Sequence, residues 1–124
     1  MFIPNKVKIG GHVLDVIITN DCDNIAYDEI GKTCLAKNVI WINKNYPKSR
    51  QEEALLHEMV HNVLYDLSEE QDEALVERIG KYLYMFVIDN PEIFLDKSYF
   101  EEKQGCTNPY IESNEEEVDV QTDK

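Results

Sequence analysis

The chain has 124 residues, with 12 Lys+Arg against 25 Asp+Glu and a formal net charge of −13. Its 43% hydrophobic and 30% charged content is that of a globular chain long enough for one core, not of a disordered or membrane-embedded one. So acidic a surface repels phosphate backbones and anionic lipid, which argues against direct nucleic-acid or membrane binding.

The longest apolar run, residues 82–88, falls far short of the ~20 residues needed to span a bilayer. Residues 1–6 carry neither the charged start nor the apolar stretch of a secretory signal, so a cytoplasmic location is expected. Cys22, Cys34 and Cys106 form no C-x-x-C pair, which suggests neither a disulfide framework nor a cysteine metal site.

In chain order, residues 6–9 and 12–19 read as two strands around the Gly10-Gly11 turn. Residues 20–24 are a polar turn, residues 25–30 a further short strand, and Gly31-Lys32 another turn. Residues 38–43, Asn-Val-Ile-Trp-Ile-Asn, are the strongest strand. Ser49 and Glu52 form a capping-box pattern opening a helix over residues 50–66. Ser68 and Gln71 repeat the pattern, predicting a second helix up to residue 89 after a turn of two or three residues. Leu75, Val76, Ile79, Leu83, Phe86 and Val87 would be its buried stripe. Asn90-Pro91 ends that helix and starts a third. Residues 1–100 are thus one domain. Residues 101–124, with eight acidic side chains against two lysines, read as an acidic, disordered tail.

The chemistry is concentrated in residues 57–61, His57-Glu58-Met59-Val60-His61. This is H-E-x-x-H inside a predicted helix. Residues four apart project from one face, so both imidazoles can share one zinc ion at ~2.0–2.1 Å each. Glu58 is turned by about 100° from His57. It is placed to act as general base on zinc-bound water rather than as a ligand. A catalytic zinc normally takes a third protein ligand. The next helix offers Glu73 and Glu77 on one face, with Glu73 preferred and Glu77 the alternative ligand or the group orienting a histidine. Gly80 follows on the same stripe and would let the two helices approach closely. His12 reads as a surface or structural histidine. Tyr46, Tyr65 and Tyr84 are candidates for stabilising a developing oxyanion, with no choice among them.

The segment from Val39-Ile40-Trp41-Ile42 through Leu56-His57-Glu58-Met59-Val60-His61 to Glu73-Ala74-Leu75-Val76-Glu77-Arg78-Ile79-Gly80 resembles the phage- and mobile-element-associated ImmA/IrrE-type zinc metallopeptidases, which are gluzincins. The resemblance implies Glu73 as third ligand. Glu77 stands where the family often has Asn, which keeps it as the alternative. It also implies an α+β, zincin-like domain: a small, mainly antiparallel sheet packed on helices. The site would bind Zn2+ and cleave peptide bonds of a protein substrate, such as a repressor or other regulator. By the same resemblance, residues 38–43 would be an edge strand whose Asn38, Val39, Ile40 and Trp41 pair with the substrate backbone. The alternative function is a catalytically silent zinc-binding regulatory module. Substrate identity and oligomeric state are open.

Overall fold

The computed structural model describes residues 1–94. Residues 1–88 form one compact unit; the chain from Asp89 onward falls to a second. The first unit contains strands β1 (Lys6–Ile9), β2 (His12–Thr19), β3 (Gly31–Cys34) and β4 (Val39–Asn43). They are followed by helix α1 (Lys48–Asp66) and helix α2 (Glu73–Asp89). In the second unit a single short turn of helix, α3 (Pro91–Phe94), starts with the Ile93 N–H donating to the Asn90 carbonyl. The expected acidic tail, residues 101–124, lies outside the described residues. Among the described residues no helix is long and apolar enough to cross a membrane.

The architecture is α+β, and the four-stranded sheet has the order β1-β2-β4-β3. β1–β2 and β3–β4 pair antiparallel, as expected of most of the sheet, but the central β2–β4 pairing is parallel, so the sheet is mixed. The cause is the connection over residues 20–30. It leaves the end of β2, passes the end of β4 and enters β3 on the far side, leaving β4 to fill the gap. Asn43, 1% exposed, secures this path. Its Nδ2 group faces the carbonyls of Ala26, Tyr27 and Glu29 at 3.4, 3.2 and 2.9 Å, and its Oδ1 accepts from the Asn45 N–H at 2.9 Å. Ile25 drops from the same connection onto Val39 and Trp41. Residues 25–30 are therefore not a strand, and Gly31-Lys32 opens one instead of making a turn.

Strand alternation sorts the sheet into two faces. Leu14, Val16, Ile40 and Ile42 point to one face and pack with Ile3, Ala54 and Leu55. This is the main core, and it sets α1 across the sheet. The other face carries Trp41 and Val39 beneath Ile25, with the Lys32 and Lys37 ammonium groups each 6.0 Å from the Trp41 ring.

β4 corrects a second expectation. It is paired on both sides and all five of its residues are buried. Val39, Ile40 and Trp41 are therefore core, with their backbone groups already engaged. Asn38, the remaining residue of the proposed substrate strand, sits in the left-handed region at φ 53° and ends the 3-10 turn Leu35–Lys37. The strand at the sheet edge beside α1 is β3.

The helix termini also depart from the capping patterns. α1 begins at Lys48 with Pro47 as N-cap and no side-chain cap bond, because Glu52 turns inward instead of back to Ser49. Glu52 is buried, accepts from Tyr84 Oη at 2.7 Å, and lies 3.6 Å from the Met1 amine. Ser68 does not open α2. It is spent closing α1: it takes φ 59°, its N–H bonds the Tyr65 carbonyl, and the Glu69 N–H bonds the Leu64 carbonyl. That pair of bonds is the left-handed helix stop of the Schellman type. The interhelical connection is consequently longer than the two or three residues expected, and Asp72 caps α2, its Oδ1 accepting from the Leu75 N–H at 3.3 Å.

α2 turns its Glu73, Val76, Gly80 and Tyr84 side to α1. Of the expected buried stripe only Val76 is fully buried. Leu75, Ile79, Leu83 and Phe86 are 42%, 37%, 38% and 51% exposed. The apolar stripe is rotated away from the face that meets α1, because the polar face is the one carrying the site.

Candidate metal centre

Two glycines let the site assemble. A Cβ at Gly80 would lie 3.0 Å from His57 Cα and 3.3 Å from its nitrogen, so α2 crosses α1 at backbone contact there. A Cβ at Gly31 would lie 3.2 Å from Glu58 Cγ and 3.3 Å from Ala54 Cβ, so the edge strand presses on the other flank of α1. The H-E-x-x-H turn is held between these two close approaches. Its outer side opens into a cleft of about 580 Å³ bounded by β3, α1 and α2.

On this turn the imidazoles of His57 and His61 stand with ring centroids 5.0 Å apart. Glu73, the first residue of α2, reaches both. Its Oε2 is 2.8 Å from His57 Nε2 and its Oε1 is 2.9 Å from His61 Nε2. Potential ligand atoms of the three residues lie within 4.8 Å of one another, so His57, His61 and Glu73 could hold a metal ion. The donor set fits one. His61 Nδ1 is 2.6 Å from Gln71 Oε1, an amide oxygen able to accept a hydrogen bond from that nitrogen, while Nε2 faces Glu73 Oε1 at 2.9 Å. Imidazole nitrogens facing carboxylate oxygens need a cation between them, either a proton or a metal. Glu77 lines the same cleft but is not part of this group.

Glu58 is 8% exposed and points toward β3 rather than toward Glu73. The Thr33 hydroxyl donates to Glu58 Oε1 at 2.8 Å. Asn62 Nδ2 donates to Thr33 Oγ1 at 3.2 Å and to the Glu58 main-chain carbonyl at 2.9 Å. Burial raises the Glu58 pKa above the ordinary carboxylate value. The Thr33 bond and the two histidines pull it back down, and Glu73 adds to the rise. Glu58 is thus a buried, hydrogen-bonded carboxyl group on the wall of the cleft.

The three tyrosines separate. Tyr65 lines the cleft, one turn beyond His61 on the same helix face. Tyr46 donates to the Asp28 carbonyl, and Tyr84 donates to Glu52, neither among the cleft's lining residues. His12 lies in β2, also outside that lining. Sequence reasoning missed Thr33, Asn62 and Gln71. Nothing local marks them, since each acquires its role from a partner at least four residues away.

No protein-family model, no curated protein and no solved structure matches the chain.

Proposed function

We propose that the chain is a zinc-dependent metallopeptidase of the gluzincin, ImmA/IrrE-like type. The observation that carries the proposal is the convergence of His57, His61 and one Glu73 carboxylate at the mouth of a cleft whose wall carries Glu58. Two imidazoles and a carboxylate suit zinc and leave a coordination position for water or substrate. The chemistry that zinc supplies when bound is polarisation of a carbonyl and a lowered pKa for water.

The chain's own groups would do the rest. Thr33 holds one oxygen of Glu58, leaving the other for proton transfer. Glu58 takes a proton from the attacking water and delivers it to the leaving amine. Tyr65 is the tyrosine available to hydrogen-bond the carbonyl oxygen as charge develops on it. β3, at the sheet edge and lining the cleft, offers main-chain groups to an extended peptide, the role first assigned to β4. By the family resemblance the substrate is a specific regulatory protein.

The test is zinc-dependent cleavage of a peptide library, read by mass spectrometry, with wild type, Glu58→Gln and a chelator control. Cleavage abolished by chelator and by Glu58→Gln supports the proposal. Stoichiometric zinc with cleavage absent in both proteins would remove the enzymatic reading and leave a zinc-binding module; equal chelator-sensitive cleavage by both would remove Glu58 as the general base.

A further inference from the structure

Resting on the metal centre proposed above, the geometry points to Gln71 as a positioning residue that selects which ring nitrogen of His61 serves the metal. Gln71 stands in the connection between α1 and α2. Its Oε1 lies 2.6 Å from His61 Nδ1, and its Nε2 lies 3.4 Å from the His61 main-chain carbonyl. The second contact fixes the amide's orientation, because turning it over would set an oxygen against the His61 carbonyl. With the amide oxygen facing Nδ1, the proton stays on Nδ1. Nε2 is then the electron-pair donor, and it is the atom that meets Glu73 Oε1 at 2.9 Å.

Gln71 is two residues from Glu73. One short segment therefore supplies both the third ligand and the group that orients the second. The two contacts therefore fall on the same histidine, Glu73 Oε1 at Nε2 and Gln71 Oε1 at Nδ1. The connection thus acts as a clasp on the site. Without the acceptor, the His61 ring is free to rotate or to carry its proton on Nε2, and either change costs metal affinity.

The experiment measures zinc affinity of the full chain by competition with a chromophoric chelator, for wild type, Gln71→Leu and Gln71→Glu. Leucine keeps the bulk and removes the acceptor; glutamate keeps an acceptor at the same reach. Gln71→Leu is expected to weaken zinc binding ~10–100-fold, and Gln71→Glu to return it to within about threefold of wild type or tighter. A second readout is the His61 Nδ1–H resonance of the zinc-loaded protein. It should be protected from exchange in wild type and Gln71→Glu, and exchange-broadened in Gln71→Leu. Equal affinity in wild type and Gln71→Leu, with the resonance still protected, overturns the assignment while leaving the metal centre standing. Equal loss in both variants overturns it too, since that is the signature of a merely structural position. A wild-type protein that binds no zinc overturns both this inference and the reading on which it rests.

Discussion

Thr33 and Glu58, separated by 25 positions in the chain, share a 2.8 Å hydrogen bond in which the threonine hydroxyl donates to Oε1. The hydroxyl is itself oriented, because it accepts from Asn62 Nδ2. The edge strand therefore aims the carboxylate that α1 carries. A buried carboxylate without that donor is free to rotate and is less well stabilised in its charged form.

Thr33→Val should accordingly keep zinc and lower kcat by roughly tenfold with little change in KM, below the ~10²–10⁴-fold attributable to a general base as a whole. Thr33→Ser should recover most of the rate. Steady-state kinetics on the fastest-cleaved library peptide checks this. A valine variant with wild-type kcat would show that Glu58 needs no help from β3.

The two candidate glutamates of α2 should behave differently. Glu73 touches both histidines, whereas Glu77 only lines the cleft. Glu73→Ala should lose most bound zinc after dialysis, and Glu77→Ala should retain a near-stoichiometric amount by elemental analysis. The reverse pattern would transfer the ligand role to Glu77 and require α2 to rotate on metal binding.

Tyr84 joins α2 to the buried Glu52 at 2.7 Å. Burial, then the hydrogen bond to Glu52, then the charges of Glu52 and Glu53, push the tyrosine pKa from 10.0 to about 12. Folding thus favours the neutral phenol. Its contribution is complete below pH 10 and is lost as pH rises from there through about 12. Urea denaturation across this window should show stability falling more steeply in wild type than in Tyr84→Phe. At neutral pH the variant should be weaker by roughly 1 kcal/mol, a low value for a bond to a charged group because the tyrosine is only half-buried.

Asn43 offers two amide protons to three carbonyls at the end of β4 and accepts a fourth bond from Asn45. Asn43→Asp keeps the shape and turns a carboxylate oxygen toward that carbonyl cluster. It should cost at least as much as Asn43→Ala, for which about 2–3 kcal/mol is expected from losing the buried bonds. Chemical denaturation at neutral pH measures both. An aspartate variant as stable as wild type would mean that the Asn43 side-chain amide does not hold the connection over residues 20–30.

The amino-acid pattern was enough to find what depends on neighbours along the chain. The Gly10-Gly11 hairpin, the existence of strand β4, the helix bearing His57, Glu58 and His61, and the close approach at Gly80 all follow from spacings of a few residues, where backbone geometry fixes relative direction. What depended on distant partners was decided only in three dimensions. Glu52 abandoned its capping box for Tyr84, and Ser68 closed one helix instead of opening the next. β4 became an interior strand because Asn43 drew the preceding connection past its end, which left β3 at the edge and brought Thr33 to Glu58. Glu73 and Glu77 share a helix face, so periodicity could not rank them fully; the crossing at Gly80 and the bond between Gln71 and His61 put Glu73 between the imidazoles. Each of these outcomes turns on which of several compatible local bonds is compensated by a partner elsewhere, and that competition is settled by packing.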